Sequence, residues 1–219
     1  METYDDELKI VLIGESAVGK TSIINRFVQN KFEENIQSTI GGTFSSKILL
    51  FNDGKKLIFN LWDTAGQERF KSLAKIFYKG ANVAILVYDI TNQNSFDKLK
   101  KFWINDVKEN TTSDIILILA GNKVDLIEKE EVDEKDAKKF AEEMNIDFFR
   151  ISAKMDFGIE KLFTQIAKKY TGRIDFKFTS FLEEINKRKD SNNSEKKIIA
   201  KSNSVKLKKF SDKKKKKCC

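Results

Sequence analysis

Residues 14–21 read Gly14-Glu15-Ser16-Ala17-Val18-Gly19-Lys20-Thr21, a match to G-x-x-x-x-G-K-[ST]. The two glycines let the backbone wrap closely, so that its N–H groups and the following helix N-terminus can hold phosphate oxygens. Lys20 is placed to reach β- and γ-phosphates, and the Thr21 hydroxyl to ligate Mg²⁺. An ordinary glycine-containing turn with a surface lysine is the bland alternative. It is disfavoured because an apolar run, 8–14, precedes the motif and a helical spacing of Ile23, Ile24, Phe27 and Val28 follows it.

Three further clusters fit the same chemistry. In Trp62-Asp63-Thr64-Ala65-Gly66-Gln67-Glu68, Asp63 closes a strand and can hold Mg²⁺ through its water shell. Gly66 can bring a backbone N–H to a γ-phosphate, and Gln67 can orient an attacking water. Alone, Asp63 is as well read as a turn former. Asn122-Lys123-Val124-Asp125 and Ser152-Ala153-Lys154 each follow an apolar strand. A carboxylate at Asp125 accepts from both N1–H and the exocyclic N2–H₂ of guanine, a donor pair that adenine lacks. The Ala153 N–H can meet the base O6, and the Lys123 stem can lie over the ring. A nucleotide kinase or ATPase is the main competitor, and these two clusters argue against it. A non-hydrolysing scaffold would want Gln67 replaced, and it is present.

Those motifs must be positioned by a sheet. Strands are expected at 8–14, 43–51, 56–62, 82–88, 115–121 and 147–151, with helices at 20–30, 94–109, 134–145 and 157–170. Asn52-Asp53-Gly54-Lys55 is a turn signal that makes 43–51 and 56–62 an antiparallel hairpin. The expected fold is α/β, a six-stranded mostly parallel sheet with one antiparallel edge strand and about five helices. Ligands of such sheets sit at the carboxyl ends of the strands. Ser180 and Glu183 have capping-box spacing, which predicts a short helix within 173–186.

Composition bounds the rest. The 219 residues include no His, no Pro and only two Cys, both at the end, so His triads, His metal sites and a disulfide framework drop out. No N-terminal signal peptide or bilayer-length apolar run is expected, which points to a reducing, cytosolic-side setting. Charge is segregated: residues 187–219 carry 14 basic and 3 acidic residues, leaving residues 1–186 at a net of −3. The basic balance therefore describes a tail, expected to be disordered, and gives the body no reason to bind nucleic acid. The organisation expected is a short extension at 1–7, a nucleotide-binding domain at 8–172 and a hypervariable basic tail at 173–219.

Taken in order and spacing, the phosphate loop, WDTAGQE, NKVD and SAK resemble the Ras superfamily of small GTPases. STIGGTF at 38–44, QERF at 67–70, FYKGA at 77–81, ILVYDIT at 85–91 and the terminal Cys218-Cys219 resemble its Rab family. The resemblance implies GTP/GDP binding by residues 14–22 (Ser22 included), Phe32, Thr39, Asp63, Gly66, Asn122, Lys123, Asp125 and Ser152–Lys154. It implies Mg²⁺ on Thr21, Thr39 and Asp63, catalysis by Gln67, Lys20 and Thr39, and Phe32 edge-on to guanine. It also implies two segments that order around the γ-phosphate, switch I (32–44) and switch II (64–80), and an effector surface of Ile40, Gly41, Phe44, Trp62 and Phe77. Residues 32–44 contain no Arg, so hydrolysis without a partner should be slow. Gly42 departs from many Rabs and is expected to loosen switch I. Implied partners are an exchange factor, a GTPase-activating protein, a GDP-dissociation inhibitor, effectors, and an escort protein for two geranylgeranyl groups on Cys218 and Cys219. Lipids and Lys213–Lys217 together would hold the protein on the cytoplasmic face of intracellular, by its details endosomal, membranes.

Overall fold

The computed structural model describes residues 6–66 and 76–179. Seven strands form one sheet: β1 (Asp6–Ile13), β2 (Gly42–Phe51), β3 (Lys56–Thr64), β4 (Val83–Asp89), β5 (Ile116–Asn122), β6 (Asp147–Arg150) and β7 (Phe176–Thr179). Their spatial order is β6-β5-β4-β1-β3-β2-β7. The central strand β4, VAILVYD, is buried along its whole length, as a parallel strand covered on both faces must be.

Helices cover both faces. On one side α1 (Lys20–Gln29) and α5 (Ile159–Thr171) pack Ile23, Ile24, Phe27, Leu162, Phe163 and Ile166 against the sheet. On the other, α2 (Gln93–Lys98) runs through a π-helical turn, Leu99–Trp103, into α3 (Ile104–Asn110), followed by α4 (Glu134–Glu143). Phe96, Leu99, Trp103, Val107 and Ala137 fill that second core. The α2 start is capped by Asn92, whose side chain accepts from the Ser95 N–H, and the α4 start by Asp133 accepting from Lys135.

The expected hairpin forms: β2 and β3 pair antiparallel from Gly42↔Thr64 to Leu50↔Lys56. Gly54 turns it with φ 86°, and the Lys55 N–H donates to Asp53 Oδ1 at 3.1 Å.

Two expectations need correction. The sheet has seven strands, not six, and β2 is not its edge: β7 lies outside it. Residues 176–179 form that strand, because Phe176 and Phe178 alternate with polar neighbours and pack on the first core. Ser180 and Glu183 lie outside the described residues. Gly42 does not loosen its segment. It starts β2, and a Cβ there would come within 2.4 Å of the Phe77 ring, so the missing side chain lets Phe77 close onto the strand.

Tyr88 and Gly121 show how tightly the sheet sets the loops above it. A Cβ on Gly121 would meet the buried Tyr88 hydroxyl at 2.6 Å. Gly121→Ala should lower the unfolding free energy by about 1–3 kcal/mol, read from the urea midpoint.

Candidate functional site

The loops at the carboxyl ends of β1, β3, β5 and β6 enclose a cavity of about 440 Å³. Its walls include Ser16, Ala17, Gly19, Lys20, Thr21, Ser22, Phe32, Thr39, Gly66, Asn122, Lys123, Asp125, Ala153 and Lys154.

At one end the phosphate loop turns through backbone that side chains seldom adopt. Gly14 has φ 147°, Ala17 64° and Gly19 95°. A Cβ on Gly14 would lie 2.1 Å from the Val87 carbonyl oxygen, and one on Gly19 would lie 2.3 Å from Asn122 Nδ2. Gly19 leads into α1 with no side-chain cap and no acidic residue in the first turn. The orphan N–H groups and positive dipole end of α1 therefore face the cavity. Lys20 is 6 % exposed, and its ammonium donates to the carbonyls of Gly14 at 2.9 Å and Glu15 at 2.8 Å. Burial pushes its pKa down to about 8, opposed by the charges of Asp63 and Glu15. Glu15 turns its own side chain away from the cavity: its carboxylate accepts from Trp103 Nε1 and Lys98 Nζ, each at 2.9 Å. Val18 is buried in the first core, so both residues can serve a ligand only through the backbone.

Three oxygen ligands meet beside Lys20. Asp63 Oδ2 accepts from Thr21 Oγ1 at 2.6 Å and from Thr39 Oγ1 at 3.0 Å, and the two hydroxyls are 2.9 Å apart. Asp63 is 1 % exposed and its other oxygen, Oδ1, has no partner. Desolvation raises its pKa, against the hydrogen bond from Thr21 and the charge of Lys20. An orphaned buried carboxylate oxygen beside two hydroxyls suits a hard cation that takes few protein ligands and completes its shell with phosphates and water. One carboxylate and two hydroxyls are hard oxygen donors, a set that suits Mg²⁺ rather than a softer metal. Gly66 presses against the same loop: a Cβ there would come within 2.4 Å of Ser16 N.

The other end is built by the β5 and β6 loops. Ser152, fully buried, donates from Oγ to Asp125 Oδ1 at 2.5 Å and accepts from the Met155 N–H. Asn122 spans the site: its Nδ2 donates to the Val18 carbonyl at 2.9 Å, and its Oδ1 accepts from the Ala153 N–H at 3.2 Å. Lys123 takes φ 72° and pairs its ammonium with Asp89 at 2.6 Å. Phe32 lines the cavity while also packing on the first core, and Lys154 pairs with Glu34 at 2.7 Å.

Beside the cavity Phe44, 53 % exposed, packs on Trp62 at 5.2 Å, and Trp62 on Phe77 at 5.5 Å. Ile40 is 80 % exposed, and the Gly41 carbonyl accepts from the Ala65 N–H. Gln67, Cys218 and Cys219 lie outside the described residues.

Arg26 is a site residue that the motifs do not announce. From α1 it donates Nε to the Ala153 carbonyl at 2.8 Å and Nη2 to the Lys154 carbonyl at 3.2 Å, tying the phosphate-end helix to the base-end loop. Its partners are 127 and 128 residues away, so only the folded sheet brings them together. Trp103 is similar, since its contact with Glu15 depends on the π-helical turn.

A glycine-rich loop at a helix N-terminus, a buried carboxylate with two hydroxyls and a loop pair carrying Asp125 line one cavity, the arrangement of a P-loop domain. The model of the Ras family matches residues 9–172. Relatives include Ras-related protein Rab-31 of Mus musculus, 47 % identical over 74 % of this chain and 82 % of its own length. GTP-binding protein ypt5 of Schizosaccharomyces pombe is 46 % identical over 74 % of this chain and 76 % of its own. Ras-related protein Rab-1 of Theileria parva is 42 % identical over 77 % and 76 %. The chain belongs to the Ras family of small GTPases, in its Rab branch. It is a GTPase that binds GTP and GDP, and its partners are regulators and effectors of that family's kind.

Burial of Lys20 predicts a pH effect. Above about pH 8 the empty site holds a neutral amine, which must take up a proton before it can serve a polyphosphate. GDP affinity should therefore fall as pH rises from about 7.5 to 9.5, with proton uptake visible by calorimetry in buffers of different ionisation heat. Lys20→Met should bind weakly and lose that dependence. Since the folded pKa lies below that of a free lysine, the nucleotide-free protein should gain stability over the same range.

Proposed function

We propose that the protein is a Rab-type GTP/GDP switch that uses Mg²⁺ to hydrolyse GTP and recruits effectors to membranes in vesicle traffic. The convergence of Thr21, Thr39 and Asp63 on one point beside Lys20 carries this reading, because it links the phosphate loop, switch I and β3 through a single carboxylate.

In the reaction, a water oxygen bonds to the γ-phosphorus as the bridging P–O bond to GDP breaks, and the water's proton leaves on the phosphate. Mg²⁺, when bound, would offset the charge of the phosphates during the transfer. The residues that would hold it are Thr21, Thr39 and Asp63. Lys20 and the α1 N-terminus neutralise the phosphates without reorganising, since their positions are fixed by backbone before the nucleotide arrives. The Gly66 N–H contacts the γ-phosphate and Gln67 orients the water. No arginine lies in 32–44, so a partner would supply about 10³–10⁵-fold acceleration.

Asp125 selects guanine, pre-aimed by Ser152, with the Ala153 N–H on O6, Phe32 edge-on and the stems of Lys123 and Lys154 along the base. Loss of the γ-phosphate frees Thr39 and Gly66, loosening both switches. Effectors read that change at Ile40, Gly41, Phe44, Trp62 and Phe77, whose aromatic stack is supported on β2 and β3. An exchange factor, a GTPase-activating protein, a GDP-dissociation inhibitor and a prenylation escort complete the cycle. Two geranylgeranyl groups on Cys218 and Cys219, with the lysines at 213–217, anchor the tail to the cytoplasmic face of intracellular, including endosomal, membranes; one chain alone would hold only marginally.

Asp125→Ala should weaken GTP and GDP binding by about 10²-fold or more and leave weak ATP binding unchanged, read by titration with labelled nucleotides. Failure of the unaltered chain to prefer guanine nucleotides in the presence of magnesium would sink the reading. Replacing Cys218 and Cys219 by Ser should move a fluorescently tagged chain from membranes to cytosol.

A further inference from the structure

The segment just past α5 is fastened to the domain at both ends. At its start, Arg173 donates to Asp53 at 2.9 Å and forks onto both oxygens of Asp175 at 2.8 and 2.5 Å. Its guanidinium lies 4.0 Å from the centre of the Phe51 ring, and the Asn52 N–H donates to the Asp175 carbonyl. Each surface ion pair alone would contribute little, but one arginine here joins the β2–β3 turn, the Phe51 face and the segment's own Asp175 carboxylate. At its other end Phe178 stands edge-on to Phe27 at 5.0 Å and to Phe59 at 5.5 Å.

Phe27 marks the root from which the loop at 30–41 leaves α1, and Phe59 lies against the middle of β2. Phe27 sits in the last turn of α1, immediately before the loop, and its other side stacks on Phe163 of α5 at 3.7 Å. Phe59 pairs across the hairpin with Lys47 of β2, the strand that follows the loop. Lys47 itself donates to the Phe27 carbonyl and lies 4.5 Å from the Phe27 ring centre. Phe178 therefore packs between α1 and β3, beside the point where Lys47 of β2 is joined to Phe27.

We propose that Arg173–Phe178 is a brace for switch I, with Phe178 as its positioning residue, coupling the start of the tail to the grip on nucleotide. The proposal rests on the GTP/GDP switch reading. Switch I grips through Thr39, which meets the γ-phosphate only in the triphosphate form. A contact that restrains the root at α1 and ties it to the body of the β2–β3 hairpin stabilises the closed arrangement, and so adds to retention of GTP more than of GDP. Linkage makes the effect reciprocal: triphosphate binding must tighten the brace by the same factor.

The test compares dissociation of labelled GDP and of a labelled non-hydrolysable GTP analogue, with magnesium, from the full chain and from Phe178→Ala, Phe178→Leu and Arg173→Ala. Phe178→Ala should release the analogue about fivefold faster or more, with a clearly smaller factor for GDP. Phe178→Leu should restore most of the retention, and Arg173→Ala, at a half-buried surface position outside both cores, should show the same ordering with a smaller factor. Equal factors for the two nucleotides, a larger factor for GDP, or no change would overturn the brace, since general loosening of the domain has no reason to favour one nucleotide. An unaltered chain that retains neither nucleotide would overturn the switch reading instead. Limited proteolysis of the nucleotide-free chain then tests the brace alone: Phe178→Ala must accelerate cleavage within 30–41, and unchanged cleavage there refutes it.

Discussion

A buried ammonium with no carboxylate bound to it is the constraint around which the site is arranged. Lys20 is held by two backbone carbonyls, at a helix start that already carries a positive dipole end. The nearest balancing charge is Asp63, which spends its hydrogen bonds on two hydroxyls and keeps one oxygen unpartnered. In the empty protein this is an electrostatic deficit: burial works against the charged form of both groups, lowering the pKa of one and raising that of the other. A polyphosphate with its counter-cation answers both at once. The free energy withheld from the empty fold is then recovered as affinity, and any ligand that binds only the native state stabilises it by mass action.

The base end works differently. Asp125 is aimed by a hydroxyl, and its loop is held by cross-links that reach the phosphate end: Asn122 to Val18, and Arg26 to Ala153 and Lys154. Selection of the purine and binding of the phosphates are thus properties of one rigid frame. Removing the Asn122 amide would leave the buried Val18 carbonyl and the Ala153 N–H without their partner, which costs more than the net worth of two hydrogen bonds.

Much of this was legible because the signals are local. Apolar runs such as NVAILVY at 82–88 can satisfy burial on both faces only as inner strands, and the glycines of residues 14–21 are dictated by a backbone path that a Cβ would block. Asp63 and Thr21 sit at a strand end and a helix start, where the sheet brings its loops together regardless of side-chain detail, whereas Thr39, inside the loop at 30–41, was legible only through the family resemblance. What escaped is non-local. Arg26 reads as one more polar residue on an amphipathic helix, and nothing near it announces carbonyls far along the chain. Glu15 reads as a ligand by its place in the motif, yet Trp103 draws its side chain elsewhere. FKF at 176–178 is a run too short to assert a strand until the Phe27, Phe51 and Phe59 rings supply its partner surface.

The register of β2 against β3 binds these features together. Phe44 faces Trp62, and three residues on, Lys47 faces Phe59. Because side chains alternate along a strand, the first pair falls on one face, with Phe77, and the second on the other, with Phe27 and Phe178. A slip of one residue would exchange the two faces, moving the exposed aromatic stack into the core and the lysine out of reach of the Phe27 carbonyl. The turn at Gly54 and the close approach of Phe77 to Gly42 pin that register at opposite ends of the hairpin. One strand thereby presents a surface on one side and anchors the loop that reports on the nucleotide from the other, so a change in its position is felt on both.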